Sequence, residues 1–348
     1  MPTIKVASWN IEWMNFWFTP DSAPAALRTT FVQDQVVNDT NTTATRAVNV
    51  ITAIDPDILA IQEAPSRLEE LKLFVDTYLH GQGPAKYKYF LSDSGGAQKV
   101  AVIYQHAKFA AVALESSANI APLISAWEAD VDGDGYLEPY EFTRRPLVVN
   151  FDVSGTNLQL VVLHTKSSYV NQGEALWNDP ARRQEYVVAA LKARRRNAAE
   201  CMRTRAYVDR VLANDSQAKL IVCGDLNDGP GQDYFEEKYL SHNLTDILVG
   251  SGFEPEGLFE HAMRDVPAAQ RYTAVFDDFV PVKTPNRQLL LDHLLLSPGL
   301  TAAAGLRRRA GSGTICHTEH NAEVPPGGSA KREDRPSDHR PVAVLLEY

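Results

Sequence analysis

One pattern of positions recurs along this chain: a short apolar run that stops at a carboxylate, an amide or an imidazole. Its sharpest instance is Lys219-Leu220-Ile221-Val222-Cys223-Gly224-Asp225-Leu226-Asn227-Asp228. Leu220 to Cys223 is too short for a helix and too apolar for a loop. The Asp-Gly-Pro-Gly cluster that follows forces a turn, so the run predicts a buried strand carrying polar groups to a sheet edge. Alternation puts Asp225 and Asn227 on one side, and Gly224 permits close approach. An Asp/Asn turn that bonds its own backbone is the competing reading of the same residues. The pattern predicts further strands at Ile4–Glu12, with Asn10 toward the far end, and at Asp57–Pro65, with Gln62 and Glu63 near its end. Others are predicted at Tyr87–Ser92, Val100–Gln105, Ala110–Leu114, Pro146–Val153 and Leu158–His164, and a last one follows Ser337-Asp338-His339. In Arg287–Ser297, six leucines bracket Asp292 and His293, which predicts a strand buried on both faces. An unpaired buried carboxylate costs several kcal/mol, so Asp292 should have a partner, most plausibly a histidine.

Helical spacing covers Arg46–Ile54, which Pro56 stops, and Ser66–Tyr78, where Ser66 and Glu69 fit a capping box. It also covers Asp179–Ala213, with Pro180 in a first turn, and Asp233–Tyr239. Phe16–Thr45 reads as an irregular lid with a short helix near Phe31–Val37, and Arg307–Arg335 as a polar, flexible segment.

Composition narrows the picture. The chain has 348 residues, 44% hydrophobic, enough for a substantial core in one large domain or two ordinary ones. Three scattered cysteines suggest neither a disulfide framework nor a zinc site. The net charge of −10 argues against coating nucleic acid by charge alone. Lys192, Arg194, Arg195, Arg196, Arg203, Arg205 and Arg210 are the one basic concentration, either a solvated helix face or a substrate-binding surface. No apolar run of about 18 residues predicts a transmembrane helix. Met1–Val6 opens directly into a strand pattern without a signal peptide, so a cytoplasmic monomer is expected unless a leader was removed. Between Asp130 and Glu141 the spacing fits a calcium loop. Asp130, Asp132 and Asp134 stand at positions 1, 3 and 5, Gly135 at 6, the Tyr136 carbonyl at 7, Glu138 at 9 and Glu141 at 12. An acidic hairpin tip with fortuitous spacing is the alternative. With one such loop visible, a structural Ca²⁺ is expected rather than a switch.

The ordered set Trp9-Asn10, Gln62-Glu63, Leu163-His164, Gly224-Asp225-Leu226-Asn227, Leu291-Asp292-His293 and Ser337-Asp338-His339 resembles the endonuclease/exonuclease/phosphatase family, the deoxyribonuclease I-like fold. The resemblance spans residues 9–339. It implies an α/β (α+β) four-layer sandwich, two mostly antiparallel sheets face to face with helices outside. The whole of 1–348 is then a single domain with insertions at about 16–45, 116–145 and 179–213. It also implies that Glu63, with Asn10 and Asp338, holds catalytic Mg²⁺ or Mn²⁺, and that Asp225 positions or deprotonates the attacking water with Asn227 beside it. Asp292 would orient His339, and His164 would donate to a non-bridging oxygen. Lys166 and the arginine-rich segment favour a nucleic-acid phosphodiester as substrate. The alternatives are a small-molecule or lipid phosphoester and a non-catalytic, calcium-dependent binding module.

Overall fold

The computed structural model describes residues 1–80, 86–94, 96–230, 234–240, 243–276, 281, 286–327 and 331–348. In one sheet the strand order is Arg307–Arg308, Val342–Glu347, Thr3–Asn10, Ile58–Ala64, Lys99–Gln105 and Tyr87–Leu91, with Thr314–Ile315 also paired to Val342–Glu347. In the other it is Glu260–His261, Asp292–Leu296, Lys219–Asp225, Thr156–His164, Leu147–Val153 and Val112–Leu114. Each sheet is antiparallel apart from one central parallel pair, Thr3–Asn10 with Ile58–Ala64 and Thr156–His164 with Lys219–Asp225. Parallel strands finish at the same end, so Asn10 lies level with Gln62 and His164 with Asp225. The antiparallel Asp292–Leu296 strand begins where its neighbour stops, pairing Asp292 with Asp225.

Alternating side chains serve two cores at once. Ile4, Val6, Ile58 and Val102 meet Val149, Leu160, Ile221 and Leu294 between the sheets. Trp9, Ile61 and Ile103 face outward onto Ala47, Val50 and Ile51 of the Thr40–Ile54 helix and Phe74 of the Leu68–Phe74 helix. On the far side Val161, Val222 and Leu295 pack on Ala198, Cys201 and Val208 of the Arg183–Asn214 helix. This is the expected four-layer sandwich, and both faces of both sheets are buried, which explains why the strands read as continuous apolar runs.

Several elements differ from expectation. Phe31–Val37 is not a helix: Thr30–Gln33 and Val36–Asp39 form a hairpin, and the helix begins at Thr40 because the Asp39 side chain caps Thr42 N–H. The capping box near residue 66 is shifted by one, with Arg67 at the N-cap and Glu70 accepting its N–H at 3.0 Å. The basic helix starts at Arg183, after a separate Gly173–Asn178 helix, and Pro180 lies in the turn between them. Arg287–Ser297 is broken into Arg287–Leu289, which pairs with Ala274–Phe276, and Asp292–Leu296. At the break the Thr273 hydroxyl accepts from both Leu291 N–H and Asp292 N–H, and Leu226 N–H takes the Leu291 carbonyl. Within the expected 233–239 helix, Asp233 lies outside the described residues and Glu236–Leu240 forms a π turn. The 307–335 segment, of which 328–330 lie outside the described residues, is pinned by buried Arg332, which donates to the carbonyls of Ile11 and Pro336 at 2.9 Å each. Among the described residues, no helix is long and apolar enough to cross a membrane.

Candidate active site

Asp225, at the end of its strand, is the hub of a buried polar rim. Its Oδ2 accepts from Asn10 Nδ2 at 2.9 Å and lies 3.5 Å from His164 Nε2 and 3.9 Å from His339 Nε2. Its Oδ1 accepts from the Asn227 backbone N–H at 2.8 Å. Asn10 Nδ2 also donates to Glu63 Oε1 at 3.3 Å, and His164 Nε2 stands 4.0 Å from the same oxygen. His339 Nδ1 meets Asp292 Oδ2 at 2.7 Å, the histidine partner that a buried Asp292 demanded. Asp338 joins through its backbone N–H, which donates to Glu12 Oε2 at 2.8 Å. Asn227 Nδ2 reaches the Thr165 carbonyl at 3.1 Å, and Lys166 sits one residue further, half-buried. Thus side chains from six separated stretches meet at one end of the sandwich.

Backbone conformation is part of how they meet. Glu63 (φ 57°), Asn227 (φ 51°) and Glu12 (φ 52°) all occupy the left-handed region, which costs a non-glycine residue energy and persists only where surroundings enforce it. At Glu63 the pairing with Lys99–Gln105 shifts register between Ile61 and Ala64, turning the carboxylate into the rim, where Trp13 N–H donates to its Oε2 at 2.8 Å. Gly224, at φ 137°, lies against Leu163: a Cβ there would stand 1.9 Å from the Leu163 carbonyl oxygen.

Burial sets the charge states. Burial opposes a charged His339, but Asp292, Asp225 and Asp338 outweigh it and hold the imidazole well above its ordinary pKa. His164 is driven well below its own by burial and by the cations Arg144, His339 and Lys166. Two histidines that approach the same Asp225 oxygen are thereby biased to opposite protonation states. Burial raises Asp225 and Glu63, and burial with the neighbouring Glu12 charge pushes Asp338 up to about 7.

This surplus of buried negative charge around Glu63 and Asp338 is the setting a divalent cation fits, with hard oxygen donors of the type Mg²⁺ and Mn²⁺ prefer. Among the described residues, the ligand-type atoms of Asp225, Asp292 and His339 also lie within 4.8 Å of one another, but there the imidazole already supplies the counter-charge. Asn10 departs from a simple ligand role: its Oδ1 accepts from Glu12 N–H at 2.9 Å, so the amide bridges the carboxylates of Glu63 and Asp225.

Two residues of the rim went unnoticed in the sequence. Glu12 is buried and accepts from Arg335 Nη2 at 2.5 Å and from Gln33 Nε2 at 2.7 Å, with Arg332 Nε 3.1 Å away; strong pairing outweighs burial and lowers its pKa to about 2. Arg144 is held by Gln98 Oε1 and the Thr165 carbonyl, at 2.6 and 3.2 Å, and its charge acts on both Glu63 and Asp225. The only sequence signal was an Arg-Arg-Pro step entering a strand.

The expected calcium loop is placed elsewhere. Asp130, Asp132 and Asp134 converge within 4.8 Å at the tip joining Trp127–Ala129 to Glu138–Tyr140, so strands, not helices, flank it. Asp130 accepts from the N–H groups of Gly133, Asp134 and Gly135, and Asp132 pairs with Arg195 at 2.9 Å. Glu138 accepts from the Tyr140 hydroxyl, while Tyr136 and Glu141 are exposed; neither Glu138 nor Glu141 is in the converging group of side chains.

The fold and this rim define a phosphoesterase class. The model of the Endonuclease/Exonuclease/phosphatase family matches residues 7–339, and the chain belongs to that family, whose members are hydrolases of phosphoric esters. No curated protein matches it. Among solved structures, D. rerio TDP2 complexed with single strand DNA product is 13% identical, with all of both chains covered and a TM-score of 0.52. Truncated Caenorhabditis elegans TDP2 is 14% identical over 99% of this chain and 98% of its own, TM-score 0.52. An endonuclease/exonuclease/phosphatase from Bacteroides vulgatus is 13% identical over 100% and 99%, TM-score 0.52. At these identities the likeness establishes the shared fold.

Proposed function

We propose that this enzyme is a divalent-metal-dependent phosphodiesterase acting on nucleic acid by in-line attack of water. The observation that carries the reading is the unbroken rim Glu63–Asn10–Asp225, with His164 and the Asp292–His339 pair closing on the same carboxylate. Glu63 and Asp338, oriented by Asn10 and Glu12, would hold Mg²⁺ or Mn²⁺. When bound, the ion supplies Lewis-acid neutralisation of phosphate charge. Asp225, its Oδ1 fixed by Asn227, orients the attacking water and accepts its proton. Protonated His339, locked by Asp292, stabilises the charge that grows on phosphate oxygens, and neutral His164 donates a hydrogen bond to a non-bridging oxygen. Arg144 and Lys166 add fixed positive charge on the side where the substrate's phosphates approach, which favours a polyanion over a small ester.

The test is a panel of plasmid, single-stranded oligonucleotides, bis(p-nitrophenyl) phosphate, phospholipid and inositol phosphate, each with Mg²⁺, Mn²⁺ and EDTA. Metal-dependent cleavage of the oligonucleotides supports the reading; turnover confined to lipid or inositol phosphate overturns the substrate, and none at all overturns the chemistry. At the second acidic group, the convergence of Asp130, Asp132 and Asp134 supports a structural Ca²⁺ in the 116–145 insertion, which a calcium-induced rise in melting temperature would report.

A further inference from the structure

Glu200, in the Arg183–Asn214 helix, has no exposed surface. A carboxylate taken wholly out of water is costly unless donors and counter-charges satisfy it, so the identity of its partners is informative. Its Oε1 accepts from the Thr143 N–H at 2.9 Å and from the Thr143 hydroxyl at 3.0 Å, and its Oε2 accepts from the Lys166 N–H at 2.8 Å. Thr143 directly precedes Arg144. One side chain thus grips the backbone at two cations whose charge reaches the catalytic rim, Arg144 at Glu63 and Asp225 and Lys166 at His164. Three residues earlier on the same helix, Asn197 Nδ2 donates to the Leu226 carbonyl at 3.0 Å, securing the segment between Asp225 and Asn227. These segments are also tied to one another at Thr165, whose carbonyl accepts from Arg144 Nη1 at 3.2 Å and from Asn227 Nδ2 at 3.1 Å.

The charge of Glu200 matters as much as its hydrogen bonds. Burial and the Arg144 charge both hold the Lys166 ammonium below its ordinary pKa, and Glu200 acts against them. Burial likewise lowers Arg144, where Glu200 adds to the opposing effect of Glu63 and Asp225. An anion fixed beside two like charges lets them stand together instead of driving each other apart. Arg196 Nε, 3.9 Å from Glu200 Oε1, is beyond hydrogen-bond reach, so the short contacts of this carboxylate are those to Thr143 and Lys166. A carboxamide of the same shape would lose the charge, and its NH2 would turn a donor toward one of the N–H groups that the carboxylate accepts.

We propose that Glu200 is a positioning residue for phosphate binding: it fixes the backbone at Arg144 and Lys166 and balances their charge, so that both cations meet a substrate phosphate that Glu200 itself never touches. That the phosphate belongs to a substrate rests on the phosphodiesterase reading above. Two measurements separate the two claims. Binding of thymidine 3′,5′-bisphosphate is followed by calorimetry in EDTA, and bis(p-nitrophenyl) phosphate turnover is followed with Mg²⁺. Glu200→Gln should weaken bisphosphate binding about tenfold and raise KM by a similar factor, with kcat within about threefold. A merely structural role would instead lower kcat at unchanged KM as folded protein is lost, which circular dichroism reports. In an Arg144→Ala/Lys166→Ala background the same change should alter binding by less than about twofold, because nothing remains to be positioned. Thr143→Val, which removes one hydrogen bond and keeps the charge, should cost about threefold in Kd and KM and replaces Glu200→Gln if that variant does not fold. Unaltered Kd and KM in the folded variant, or the full tenfold loss in the double-variant background, overturns the positioning role, and wild-type turnover of the diester then leaves the phosphodiesterase reading standing. Glu200-dependent bisphosphate binding by a wild type that hydrolyses no diester supports the positioning role and overturns the catalytic reading. A wild type that neither binds the bisphosphate nor hydrolyses the diester overturns both.

Discussion

Two groups of acidic side chains in this molecule look alike in composition and differ in everything that surrounds them. Asp225 and Asp292, with His339, are buried at the junction of two sheets; Asp130, Asp132 and Asp134 cluster at the tip of a two-stranded insertion, the last two exposed. In the first group each charge alters its neighbours: Asp292 and Asp225 hold a proton on His339, and that cation in turn favours ionised Asp225 and Asp338. In the second, Asp130 is satisfied by three backbone N–H groups and Asp132 by Arg195, and water screens the rest. Acid density alone does not mark chemistry. Removal from water makes the same side chains interdependent.

Mutation should expose the contrast most strongly in turnover. Asp225→Ala and His339→Ala are each expected to lower kcat on bis(p-nitrophenyl) phosphate by about a hundredfold or more while the proteins stay folded. Asp130→Ala should leave kcat within about twofold. Equal losses from both groups would erase the distinction. A pair of glycines gives the next largest effect. Gly224→Ala forces a Cβ to 1.9 Å from the Leu163 carbonyl at φ 137° and should cost about 3 kcal/mol or more, whereas Gly133→Ala, at φ 73° with nothing within 4 Å, should cost only about 1 kcal/mol. Urea denaturation of the two variants measures this, and similar midpoints would contradict it.

Acid sharpens the comparison further. His320 Nε2 donates to the Ser337 carbonyl at 2.7 Å, supporting the loop that carries Asp338 and His339; burial, aided by Arg340, lowers its pKa to about 4. The unfolded chain then binds more protons than the folded one between about pH 6.5 and 4, so stability falls as pH drops through that window. The His320 share of that loss is on the order of 3 kcal/mol, and His320→Gln should remove that share in denaturation curves taken from pH 7 to 4, leaving the part owed to His164, His261 and His293, which burial lowers as well. A parallel slope in the variant would show that other groups govern it. The smallest effect belongs to the exposed trio. Adding Ca²⁺ should raise the wild-type melting temperature by a few degrees and Asp130→Ala should abolish the rise, at constant kcat with Mg²⁺. No shift in the wild type would leave the trio as an ordinary solvated tip.

The sheet-forming runs and the polar residues at their ends were legible because a strand buried on both faces must be apolar until it stops. Local rules failed where two adjacent residues competed for one role. Ser66 looked like the better N-cap, yet Arg67 takes the position, since Glu70 rather than Glu69 can reach back to its N–H. The Thr-rich start of the Thr40–Ile54 helix concealed its true origin at Asp39. Glu12 was illegible for a different reason: its partners Arg335 and Asp338 lie more than three hundred positions away, and nothing near residue 12 announces them. Arg144 likewise acquires meaning only from the Thr165 carbonyl and the rim it faces.

Chain order has a consequence for biosynthesis. The first sheet is not complete until Val342–Glu347 slots between Thr3–Asn10 and Arg307–Arg308, and the indole of Trp9 is capped by the His339 carbonyl at 2.9 Å. A nascent polypeptide that has not yet emerged past residue 336 therefore holds Glu63 and Asp225 but lacks the imidazole and carboxylate of the final loop. Hydrolytic power therefore arrives only once the loop carrying Asp338 and His339 and the strand behind it have closed on the first sheet.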